Sequence, residues 1–62
     1  MRGTKAVLKD GRVVFIRNTD PETMNILIRL RIAGEEIGEI YEGFLNGKEL
    51  DVPFREIEEV LP

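Results

Sequence analysis

Asp20-Pro-Glu-Thr-Met-Asn-Ile-Leu-Ile-Arg-Leu-Arg-Ile-Ala-Gly34 is the segment on which the architecture turns, because two periodicities compete within it. Every even position from Met24 to Ile32 is apolar (Met24, Ile26, Ile28, Leu30, Ile32), while Asn25, Arg29 and Arg31 stand between them and only Leu27 breaks the polar series. Such alternation predicts a strand. The competing reading is a helix with Asp20 as N-cap, Pro21 at the first helical position and Gly34 as C-cap. Against it, Arg29 and Arg31 point about 200° apart at 3.6 residues per turn and leave no clean polar face.

Outward from this segment the chain reads as β structure. Thr4–Lys9 and Arg12–Arg17 are short β-rich runs joined by Asp10-Gly11, which predicts a type I′ hairpin with Leu8 opposite Val13 and Val7 opposite Val14. Both sides of the sheet would then carry apolar pairs. On the other side, Ala33–Glu36 turns the chain into Ile37–Leu45, and a central hairpin about Gly34-Glu35 would set Tyr41 opposite Ile28 and Arg31 opposite Gly38. In that register Arg29 reaches Glu42 diagonally, so ion pairs would use up the basic charge. Gly38 and Gly43 suggest bends within the fourth run, and Asn46-Gly47 gives a second hairpin turn. Pro53 ends the next strand. Two readings of the tail stay open: a 3₁₀ turn followed by a closing strand near Glu59–Leu61, or a terminal helix on which Phe54, Ile57, Val60 and Leu61 share a face. The expectation is one all-β domain over residues 1–62, a small antiparallel barrel or strongly curved meander of five to six strands with a short 3₁₀ or helical turn near its end.

A chain of 62 residues has room for one thin core. It lacks Cys, His and Ser, which removes disulfides, the usual zinc ligands and the common nucleophile and base. No catalytic residue, metal site or cofactor is predicted, and the expectation is no enzyme. A subunit of a larger enzyme stays a further reading. The net charge of -3 disfavours a general phosphate-backbone binder. Absence of Cys, of a signal-like start and of a run near ~20 apolar residues predicts a cytoplasmic location without membrane partners.

The opening hairpin around Leu8-Lys9-Asp10-Gly11-Arg12, the central hairpin and the tail Leu50-Asp-Val-Pro-Phe-Arg-Glu-Ile-Glu-Glu-Val60 together resemble the SH3-like small β-barrels. In those a strand ending in Pro or Phe, a 3₁₀ turn and a short last strand close the barrel. Within that group, Leu8–Arg12, Asp20 and Met24-Asn25-Ile26-Leu27-Ile28 resemble the first motif of the Sm-like RNA-binding proteins. That resemblance implies that Asn25 reads a base edge and Asp20 orients its loop. The sequence departs from the family pattern at Thr23, where a stacking side chain is expected, and at Asn46-Gly47, where the family has Arg-Gly. One extra residue also separates Asp20 from Asn25.

Two functions follow as expectations. The first is a non-enzymatic interaction module that binds itself, as a homo-oligomer, or a protein partner through a strand edge or apolar face, since the chain is too short to cover both faces of its sheet. The second is an Sm-like nucleic-acid binder using Arg17, Asn25, Arg29 and Arg31. Of the aromatics, Phe15, Tyr41, Phe44 and Phe54, most are expected in the core.

Overall fold

The computed structural model describes residues 2–62. Five strands and one helix follow in the order β1 (Gly3–Leu8), β2 (Val13–Arg17), α1 (Pro21–Ile32), β3 (Ile40–Leu45), β4 (Lys48–Pro53), a 3₁₀ turn (Phe54–Glu56) and β5 (Ile57–Val60). The strands form one antiparallel sheet of order β4-β3-β2-β1-β5, so the fold is mostly β, as the pattern predicts. The sheet is a meander left open between β4 and β5 and is not closed into a barrel. Among the described residues no helix is long and apolar enough to cross a membrane.

The first hairpin turns where Asp10-Gly11 predicts, but with a different loop. Val7 pairs with Val13 and Ala6 with Val14, one residue away from the expected register. The cause is a loop of three residues, Lys9 to Gly11, closed by Leu8 N–H donating to the Arg12 carbonyl (2.9 Å) and Gly11 N–H to the Leu8 carbonyl (2.9 Å). Gly11 takes φ 92°, the left-handed residue that such a loop requires. Asp10 fixes the exit by accepting from the backbone and the guanidinium of Arg12. This register turns Thr4, Ala6, Leu8, Val14 and Ile16 together into the core and Lys5, Val7, Val13, Phe15 and Arg17 to the outer face. The second hairpin is the two-residue type, with Asn46 (φ 51°) and Gly47 (φ 79°) both left-handed and Leu45 opposite Lys48.

The central strand is not formed. Pro21–Ile32 is a helix, with the Asp20 carboxylate accepting from Thr23 N–H (2.8 Å) and Pro21 in the first turn. At its far end Gly34 sits at φ 102°, and its N–H meets the Arg31 carbonyl while Glu35 N–H reaches back to Leu30. That pair of bonds satisfies the Leu30 and Arg31 carbonyls and fixes the left-handed residue just beyond the helix. Both ends are capped, and Met24 and Ile28 bury one face against the sheet with Leu27 beside them. The alternation arises from two helical stripes, Met24/Ile28 inward and Ile26/Leu30 outward, which interleave at even positions. With the strand go the central hairpin and its register. Tyr41 lies opposite Val52, and Gly38 falls in the irregular stretch before β3. Of the four aromatics, most of them expected in the core, Tyr41 and Phe54 lie there, whereas Phe15 and Phe44 are half-buried outside it.

The tail resolves as the turn-and-strand alternative. Pro53 ends β4, the 3₁₀ turn buries Phe54, and β5 returns along β1 with Leu8 opposite Ile57 and Ala6 opposite Val60. A bulge between Val7 and Leu8 absorbs the mismatch. Ala6, Leu8, Val14, Ile16, Met24, Ile28, Tyr41, Val52, Phe54 and Ile57 form a single core between helix and sheet. Thr4, buried beside the apolar core, donates its hydroxyl to the Thr19 carbonyl and ties β1 to the segment leading into α1.

Candidate functional site

The helix shields the inner face of the sheet, so two surfaces carry apolar side chains that the core does not absorb. On the outer sheet face Val7 stands opposite Val13, and Phe15 opposite Phe44 in the next strand. Val13 is 41% exposed, and Val7, Phe15 and Phe44 are half-buried. Gly3 makes room for this row: a Cβ there would collide with Cζ of the Phe15 ring. Lys5, Arg17, Glu42, Glu49 and Asp51 surround the row, giving a polar rim. Isolated surface apolar groups are normal in small proteins, but a contiguous row with a charged rim has the anatomy of a contact surface.

The second surface is the outer side of α1. Ile26 is 49% and Leu30 43% exposed, one turn apart on the same face. Ile32, 79% exposed, lies apart from them on the helix side, and Ile40, 67% exposed, opens β3.

The four residues expected to form a basic nucleic-acid face are dispersed. Arg17 is on the outer sheet face, with Nη1 3.4 Å from the Glu42 carboxylate. This cross-strand pair is the kind anticipated for the central strand, made by a different arginine. Asn25 and Arg29 are exposed on α1, four residues apart on its solvent side. Arg31 points the other way: its guanidinium lies 4.7 Å from the centre of the Phe54 ring, and Nη1 donates to the Phe54 carbonyl (3.0 Å). Its role is to clamp the 3₁₀ turn to the helix. Asp20, assigned by the Sm-like resemblance to orienting a loop, caps the helix and lies 3.4 Å from Arg2.

Two features near the clamp have the form of a site without its chemistry. An open groove of about 500 Å³ runs between the segment after α1 and the 3₁₀ turn, lined by Arg31, Arg55, Glu35, Glu36 and Glu39 beside Ile37. Its mixed charge selects no one sign of ligand. The Tyr41 hydroxyl is buried without a hydrogen-bond partner, its ring edge-on to Phe54 at 6.3 Å. Burial, then the nearby Glu39 carboxylate, push its pKa up to about 12, so it holds its proton at neutral pH and offers no base. Among the described residues no cluster of His, Cys, Asp and Glu has metal-binding geometry. Asp10 and Asp20 titrate below the ordinary 3.8, in each case first because a backbone N–H, of Arg12 or Thr23, stabilises the carboxylate.

Comparison of the chain with models of protein families, with curated proteins and with solved structures finds no match. The outer-face row and the Ile26/Leu30 stripe therefore stand on geometry alone. The row was within reach of the sequence, since Val7, Val13 and Phe15 share a face in any hairpin of the observed register. The stripe was hidden by the strand reading.

Proposed function

We infer that this chain is a non-enzymatic interaction module that associates with itself or a protein partner through apolar surface. The observation that carries this reading is the placement of unabsorbed apolar side chains on both sides of a two-layer molecule: Val13 and its neighbours outside the sheet, Ile26 and Leu30 outside the helix. In a 62-residue chain, covering such surface contributes stability that the thin core supplies only in part. The turn after Pro53 and the return of β5 to β1 support an SH3-like arrangement for the module. The strand edges are poorer docking sites. β4 carries Lys48, Glu49, Asp51 and Pro53 along its exposed edge, and β5 carries Glu58 and Glu59, residues that discourage strand addition.

The test is the mass in solution by light scattering at micromolar and near-millimolar concentration. The reading predicts a mass that climbs above the 7.1 kDa of one chain. A closed ring of several chains, joined to binding of short single-stranded RNA in a low-salt filter assay, would instead favour the Sm-like alternative. A single-chain mass at every concentration would count against self-association.

A further inference from the structure

We propose that the outer face of α1 is the contact between two copies of this chain, packed antiparallel about a twofold axis near Ile26. The proposal deepens the reading of the chain as an interaction module by naming the surface and the occupant. At 3.6 residues per turn, Thr23, Ile26, Leu30 and Ala33 fall within about 80° of arc, and all four are exposed. Their stripe points away from Met24, Ile28 and Arg31, which face the core. Glu22 and Arg29 lie along one flank of the stripe, within about 20° of each other around the helix and nearly two turns apart along it. Neither takes part in an ion pair among the described residues, whereas Arg2, Arg12 and Arg17 each do.

This arrangement is complementary to itself. In an antiparallel pair related by a twofold axis, each flank meets the same flank of the other copy in reversed order. An axis close to Ile26 sets Ile26 beside its own mate and Leu30 against Thr23 of the second copy. It also brings Arg29 within reach of the opposite Glu22, twice per dimer. A partner of unrelated sequence has no reason to match a stripe in which the acidic residue lies toward one end and the basic residue toward the other. A second copy matches it by symmetry.

The size of the face sets the strength. A helix of 12 residues is about 18 Å long, and its outer side offers well under the roughly 800 Å² per partner of a standard stable interface. The association is therefore weak and concentration-dependent, and the two flanking ion pairs weigh heavily in it.

The experiment is sedimentation velocity on the 62-residue chain from micromolar to near-millimolar concentration, with variants at Glu22, Ile26 and Arg29. These side chains face solvent, so unchanged far-UV circular dichroism is the control that the fold is kept. Glu22→Arg alone and Arg29→Glu alone each place like charges opposite one another in a self-pair and are expected to weaken association about tenfold. An equimolar mixture of these two single variants is expected to recover it, because both flanking pairs are then attractive. Ile26→Asp is expected to abolish it. If the wild-type chain associates but all three variants associate equally well and the mixture gains nothing, the helix contact is wrong while the interaction-module reading stands. If the wild-type chain keeps the mass of one copy throughout, the twofold pair and the self-association behind it both fall.

Discussion

Single residues hold this fold at points where nothing else fits. Gly43 faces the core between Ile16 on β2 and Leu50 on β4, and a Cβ there would lie 2.7 Å from Val52 Cγ2. Gly43→Ala is expected to cost about 1–3 kcal/mol in a urea titration, as overpacking of a close-fitted core does. Arg31 is a second such point, since the guanidinium both covers the Phe54 ring and donates to the Phe54 carbonyl. Arg31→Lys keeps the charge and loses the planar stack, so it should cost most of the roughly 1–2 kcal/mol expected of Arg31→Ala by the same titration. Asp20 adds a pH dependence. Its carboxyl titrates below 3.8 in the folded chain because the Thr23 N–H, above all, stabilises its anion. A depressed folded pKa contributes stability that is present above the ordinary carboxyl range and is lost as pH falls through it. Melting temperature should therefore drop on acidification below about pH 4. In Asp20→Asn the side chain still caps but does not titrate, so the drop should be smaller; in Asp20→Ala the melting temperature should be lower already at neutral pH.

At the scale of elements, the turns were the most legible part. Asp10-Gly11 and Asn46-Gly47 each mark a hairpin because the backbone there must be left-handed, a demand that few residue types meet without strain. Pro53 likewise announces the end of β4, and the 3₁₀ turn with β5 follows from it. The helix hides in the sequence for a physical reason. A helix buried on one side and apolar on the other presents two stripes of spacing four, and here they interleave into a false period of two. The caps held the truer signal: Asp20-Pro21 at one end and Gly34 at the other act on backbone groups that only a helix leaves unsatisfied. Gly34→Ala is expected to destabilise the chain by about 1–2 kcal/mol, since φ 102° costs an L-residue strain even though its Cβ would meet nothing. Thermal denaturation followed at 222 nm measures that loss directly.

For the whole molecule, the exchange of a strand for a helix changes what the surface offers. A sixth strand would have spread Arg29 and Arg31 along one face with Asn25 nearby, the arrangement on which the nucleic-acid expectation depended. The helix turns Arg31 inward to Phe54, leaves Arg29 outside and separates both from Arg17, which pairs with Glu42 across the sheet. Apolar surplus, legible in composition as two-faced patterning, persists in the fold, now divided between the outer sheet row and the helix stripe. Its division could not be read from the sequence, because the choice of face at Ile26 and Leu30 depended on the helix itself. The most direct test of a self-associating module is a dilution series of amide correlation spectra on the 62-residue chain. Pairing through α1 gives concentration-dependent shifts concentrated at Glu22, Thr23, Ile26, Arg29 and Leu30, with β3 and β4 unchanged. Spectra that superimpose from micromolar to near-millimolar concentration would contradict it.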